Sequence, residues 1–188
     1  MYDIVYYSKE HEAEFAAMAV KLNYKGLVFL HTLKEFVEVK HAKLTIINGV
    51  LCEAKEVQKA RKHANLVLVK STVTLTDDMD RQTMEKQKPD IMFGFELAER
   101  RDYMHNRNSG LNQILVKVMK EKNIAYALDW SSLVNPKPRI NVLGRSPQNI
   151  MLCRKYDVPL VIGSFAHHPL EMIFPKDVAS MCTFLQLP

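Results

Sequence analysis

Short apolar runs alternate with amphipathic stretches along nearly the whole chain, and that rhythm limits the possible folds more than any composition figure does. The runs occupy residues 2–7, 26–30, 44–51, 66–69, 91–93, 124–128, 160–162 and 183–187. Most are apolar throughout rather than alternating with polar residues, the pattern of strands buried on both faces. Between them lie helical stripes. Phe15, Met18, Ala19 and Leu22 share one face, with Glu10, Glu12 and Glu14 suited to the N-terminal end of that helix. Leu111, Ile114, Leu115 and Val118 repeat at helical spacing behind a candidate cap, Ser109. Ser146 followed by Pro147 predicts a further helix start, running to about Tyr156 with Arg154 and Lys155 in its last turn. Helices are also expected over residues 33–41, 54–63, 77–86 and 175–181.

Alternating strands and helices imply right-handed crossovers and a parallel sheet. Seven or eight such units predict an α/β fold, a compact TIM-barrel-like repeat in one domain over residues 1–188, small for its type. The dipeptide Asn48-Gly49 often turns a hairpin; here it is read as part of a continuous strand. Residues 131–141, with Pro136 and Pro138, are read as an exposed loop. Cys52, Cys153 and Cys182 are far apart and form no CxxC pair, so they are read as reduced core thiols. No apolar stretch approaches the roughly 18–20 residues that span a bilayer. No basic segment precedes an apolar run at the start. A cytoplasmic protein with no membrane partner is expected.

Barrel enzymes place their chemistry where strand C-termini meet the following loops. Those positions hold Tyr7, Ser8, His31, Glu53, Ser71, Glu96, Asp129, Ser164, His167 and His168. A metal-dependent phosphoesterase using His31, Glu53, His167 and His168 is the competing reading, yet the first strand offers no H-x-H pair and H-E-x-x-H is absent. Phosphate-cradling glycine loops and G-x-S-x-G are also missing. Glu53, Glu96 and Asp129 are read as rim hydrogen-bonders rather than catalytic acids. The expectation is no catalytic residue, no metal and no cofactor bound by this chain.

Charge is segregated. Residues 100–155 hold 11 Lys plus Arg against 3 Asp plus Glu, leaving 15 and 18 elsewhere, within a total of +5. Such an electrostatic footprint favours a polyanion, above all nucleic acid. Arg100, Arg101 and Arg107 offer planar forks for phosphate, Tyr103 and His105 can stack on bases, and Asn106 or Asn108 can bond sugar or base edges. The plain alternative is a solvated loop whose arginines pair with Glu96, Glu99 and Asp102. Arg139, Arg145, Arg154 and Lys155 form a second basic cluster; Lys117, Lys120 and Lys122 read as ordinary solvent-facing helix lysines. A basic barrel face that binds an acidic protein is a third possibility.

The run Glu99-Arg100-Arg101-Asp102-Tyr103-Met104-His105-Asn106-Arg107-Asn108-Ser109-Gly110-Leu111-Asn112-Gln113 resembles the most distinctive motif of the ribonuclease P protein component 3 family. Leu143-Gly144-Arg145-Ser146-Pro147-Gln148-Asn149 and onward to Tyr156 resembles a second motif, and Ile162-Gly163-Ser164-Phe165-Ala166 with Pro169 and Glu171 a third. Arg81 and Pro89-Asp90-Ile91-Met92 fit more loosely, and Lys70-Ser71 departs from the family's His-Gly. The resemblance implies a TIM-barrel-like subunit of a ribonucleoprotein that removes 5′ leaders from precursor tRNA. It implies RNA-borne Mg2+ chemistry, ribonuclease P RNA and component 2 as partners in a heterotetramer, and only indirect contact with precursor tRNA. Carried over by motif, Arg100, Arg101, His105, Arg107, Asn108, Arg145 and Arg154 become expected RNA contacts.

Overall fold

The computed structural model describes residues 1–71, 77–98, 102, 107–135 and 139–184. Seven strands follow one another in chain order around a single sheet: β1 (Tyr2–Tyr6), β2 (Gly26–Thr32), β3 (Thr45–Leu51), β4 (Leu66–Lys70), β5 (Ile91–Phe93), β6 (Ala125–Asp129) and β7 (Leu160–Gly163). Each pairs in parallel with the next. Helices α1 (Glu12–Lys21), α2 (Val57–Ala60), α3 (Asp77–Gln82), α4 (Gln113–Lys122), α5 (Trp130–Val134), α6 (Arg139–Lys155) and α7 (Pro175–Phe184) fill the crossovers and the end of the chain. The result is a nearly closed TIM-barrel-like α/β fold.

The ring closes just beyond β7. Phe165 N–H donates to Ile4 O at 2.7 Å and Tyr6 N–H to Ala166 O at 2.9 Å, around one isolated bridge between Val5 and Ala166. Asp3 reinforces this seam by accepting from Ser164 N–H at 2.7 Å and Ile4 N–H at 2.9 Å. Burial pushes the Asp3 carboxyl above its usual range, against those same bonds.

Side-chain parity explains the unbroken apolar runs. Ile4, Val28, Leu30, Leu68, Ile91, Phe93, Ala127 and Phe165 pack together inside the barrel. Their neighbours in sequence, such as Val5, Leu27 and Phe29, face outward onto Phe15 and Ala19 of α1. Most strands are therefore covered on both faces, whereas β7 is only half-buried over Leu160–Ile162. Asn48 pairs with Phe29 and Gly49 with Leu30 inside β3, so the dipeptide continues the strand and makes no hairpin.

Several expectations need correction. Instead of a helix over 33–41, the chain makes one 3-10 turn (Leu33–Glu35) and then extends. The Asn48 amide explains this: its Oδ1 accepts from Val39 N–H and its Nδ2 donates to Val39 O, both at 3.0 Å. A backbone held that way cannot supply helical bonds. The helix expected over 54–63 is a 3-10 turn leading into the short α2, and α3 passes into a π turn at Thr83–Gln87. The cap of α4 is Asn112, whose Oδ1 accepts from Ile114 and Leu115 N–H at 2.9 Å, and not the buried Ser109.

Helix α6 starts at Arg139 and runs through Pro147, where a first-turn proline was expected. Ser146 Oγ donates back to Val142 O at 2.7 Å instead of capping. Part of the 131–141 loop is helical, because Asp129 caps α5 through Ser131 N–H at 2.8 Å and both serine hydroxyls. Thr183 lies in the last turn of α7 and donates to Ala179 O at 3.1 Å, so the eighth run does not begin as a strand; residues 185–188 lie outside the described residues.

Candidate nucleic-acid interface

The basic segment joins β5 to α4 and is fastened at both ends to α6. After β5 the chain turns at Gly94 into a 3-10 turn, Phe95–Leu97. Arg145, 2% exposed, reaches up from α6 and donates through Nη1 to Glu96 O at 3.0 Å and Ala98 O at 2.7 Å. Its Nε and Nη2 meet Asp102 Oδ1, each at 3.0 Å. Asp102 Oδ1 also accepts from Asn108 N–H at 2.9 Å. Burial alone would raise the Asp102 carboxyl; the Arg145 hydrogen bond, the Asn108 N–H and the Arg107 charge outweigh it and hold the group below its usual range.

The far end is held by Asn149, whose Nδ2 donates to Ser109 O at 2.9 Å. Gly110 then sits directly against the Phe95 backbone. Its φ is +83°, and a Cβ there would meet Phe95 O at 2.2 Å. Gly110→Ala is therefore expected to cost about 2–4 kcal/mol, from left-handed strain plus a collision with immovable backbone. A urea midpoint unchanged from the parent chain would refute this account of the junction.

Under the segment lies a buried polar layer. Glu96 Oε2 accepts from Tyr126 OH at 3.0 Å, and burial pushes this carboxyl up to about 7. Burial first, and then Glu96, drives the Tyr126 phenol well above its ordinary value. Glu96 Oε1, Ser109 Oγ and Asn149 Oδ1 are buried without a hydrogen-bond partner among the described residues.

The expected contacts separate on this frame. Arg107 is exposed, and its guanidinium lies over Gly144, where a Cβ would meet Nη1 at 1.8 Å. Asn108 is half-buried beside Asp102. Arg139 is exposed at the start of α6, with Nε donating to Leu133 O at 3.1 Å and Nη2 to Val134 O. Arg154 and Lys155 are exposed at the other end of that helix, and Lys155 Nζ lies 5.8 Å from the Tyr156 ring centroid. At about 1.5 Å per residue the two ends of α6 are roughly 24 Å apart, so the second cluster is not one patch. Arg100, Arg101, Tyr103 and His105 lie outside the described residues.

Arg145 requires a correction. It was expected to meet RNA, yet it is an interior clamp whose donors are committed to Asp102 and two carbonyls. Asn149 and the anchoring role of Asp102 were missed. Both follow from the periodicity of α6, whose buried positions are Val142, Arg145, Ser146, Asn149, Ile150 and Cys153. Extending the helix upstream of Ser146 would have placed Arg145 on that inward face.

The residues of the phosphoesterase reading are engaged separately. His31 is buried, with Nε2 3.3 Å from Asn48 Oδ1 and its ring 4.2 Å from that of Tyr7. Glu53 pairs with Lys55 at the surface. His167 stacks on Tyr6 at 4.0 Å, and His168 caps the 3-10 turn Pro169–Glu171. Of the three cysteines read as core thiols only Cys153 is buried, its thiol pushed up to about 12 by burial; Cys52, pushed up to about 11, and Cys182 are partly exposed. Among the described residues no helix is long and apolar enough to cross a membrane.

A parallel barrel that carries a clamped basic segment at its rim is thus the class of protein defined by fold and site. Residues 3–188 match the model of a family described as RNase P subunit p30, and the chain belongs to that family. It is 28% identical over 126 residues to ribonuclease P protein component 3 of Methanococcus vannielii, covering 66% of this chain and 50% of that one. The corresponding protein of Methanocaldococcus jannaschii is 23% identical over 186 residues, covering 89% and 76%. The chain thus spans only half the length of the first of these relatives. In fold it resembles a chain of a cryo-EM structure of archaeal ribonuclease P with mature tRNA, with a TM-score of 0.78, 21% identity, and coverage of 100% and 84%. Histidinol phosphate phosphatase from Lactococcus lactis shares the fold more distantly, with a TM-score of 0.65, 7% identity, and coverage of 100% and 94%.

Proposed function

We propose that this chain is a scaffold subunit of ribonuclease P, binding and stabilising the catalytic RNA during 5′-leader removal from precursor tRNA. One observation carries the reading beyond family membership. The family's most distinctive segment is pinned by a buried arginine and an asparagine of α6, while Arg107 of the same segment faces solvent. Pinning of this kind favours recognition, because the contact groups need less ordering on binding. Arg100, Arg101, His105, Asn108, Arg139, Arg154 and Lys155 are the further proposed RNA contacts. Component 2 is the proposed protein partner, precursor tRNA is met indirectly, and the catalytic Mg2+ belongs to the RNA.

The purified chain alone should leave precursor tRNA intact yet raise cleavage by the reconstituted particle. Site-specific cutting by the chain alone would overturn the scaffold role. Arg107→Ala should weaken RNA binding, leave the melting temperature within a degree or so, and flatten the slope of log affinity against log salt by about 1. An unchanged slope would remove Arg107 from the interface.

A further inference from the structure

The seam of the barrel carries a cluster of metal-ligating groups outside the basic face. His11 precedes α1, Glu14 lies in the first turn of α1, and His168 precedes the 3-10 turn after β7. One ligand atom from each lies within 4.8 Å of the other two. His11 Nδ1 is 3.1 Å from Glu14 Oε2, and the His11 and His168 rings lie 4.8 Å apart. None of the three is fully buried.

From this geometry we infer a binding site for a zinc-class divalent ion that clips the first and last strands of the barrel together. Two imidazoles and one carboxylate suit Zn2+ or Co2+, whereas Ca2+ and Mg2+ favour oxygen-only sets. Tetrahedral ligands about 2.0–2.1 Å from such an ion stand roughly 3.3 Å apart. The His11–Glu14 separation already meets that, so His168 and the exposed Glu14 have a short rotation to make. His168 Nδ1 accepts a long bond, 3.3 Å, from Leu170 N–H, which coordination through that nitrogen would release. Glu171 Oε2 still holds the turn by accepting from His167 N–H at 2.8 Å and His168 N–H at 3.1 Å.

The placement gives the ion a purpose. Six strand pairs are joined by ladders, but β1 meets the chain after β7 through one isolated bridge, side-chain bonds of Asp3 and Ser164, and the Tyr6–His167 stack. A bond from His11 and Glu14 to His168 would span that junction on the rim. The site is independent of the RNA-binding face and would make the chain a metal binder, contrary to the expectation from its sequence.

The test uses the untagged full chain, stripped with chelator and titrated with Co2+ or Zn2+. One equivalent of Co2+ should develop a visible d–d absorption band, and Zn2+ at about a hundredfold excess over Kd should raise the melting temperature by roughly 5–10 °C. His168→Asn keeps a capping side chain, His11→Asn puts a good cap before α1, and Glu14→Gln keeps a helix former, so all three should fold. Each should weaken binding at least about tenfold and abolish most of the shift. Absence of the band in the parent chain, or a Zn2+ shift that survives all three substitutions, overturns the site.

Discussion

Arg145→Ala is expected to lower the stability of the chain by about 2–3 kcal/mol: the buried guanidinium and its hydrogen bonds are lost, while the partly exposed Asp102 left behind is solvated. The substitution strips Asp102 of its guanidinium and leaves the Glu96 and Ala98 carbonyls without their donor. It should also detach the start of the basic segment from α6. Denaturant titration would show the loss directly, and RNA affinity of the still-folded fraction should fall through the loosened segment, since Arg145 itself is buried. Arg145→Lys should rescue little, since a single ammonium cannot reach the carboxylate and both carbonyls with the geometry of a planar fork. Near-parent stability in the alanine variant would mean that the clamp is ornamental.

Glu96→Gln is expected to change the pH profile of stability. The carboxyl is pushed by burial from an ordinary 4.5 to about 7. The folded state therefore holds its proton more tightly than the unfolded chain does. Stability from this group is fully present below about 4.5, declines as pH rises from there to about 7, and is gone above that. The shift corresponds to about 3 kcal/mol at most. Glutamine can still accept from Tyr126 OH but carries no charge to desolvate. The variant should accordingly be more stable than the parent at pH 8, with that advantage shrinking or reversing by pH 4.5. Asp3 also has a raised carboxyl, but it is common to both proteins and cancels in the difference. Parallel stability curves for the two proteins would show that Glu96 does not titrate in this window.

The strands were legible because barrel strands buried on both faces leave unbroken apolar runs; seven of the eight expected runs became strands with ends within a residue or two. Helix limits were less legible, since side chains decide them from a distance. Asn48 cancels a helix nine residues upstream, and Asn112 takes the cap that Ser109 was expected to supply. At the site, the segment itself was visible as dense Arg, His and Asn before a helix. Which cations face solvent was not. Arg107 and Arg145 look alike in sequence, and only the inward face of α6 separates them. Reading Pro147 as a first-turn proline hid that face by starting the helix too late.

Most helices rest on a barrel through greasy side chains, which tolerate a small roll or slide. Helix α6 instead presses Arg145, Ser146 and Asn149 inward among Val142, Ile150 and Cys153. Directional bonds of 2.7 to 3.0 Å from Arg145 and Asn149 to the segment after β5 then fix its azimuth, because any other setting would strand a cation and an amide in a dry medium. Such a helix works as a keyed shaft, and whatever it carries on its outer side keeps one orientation relative to the strands.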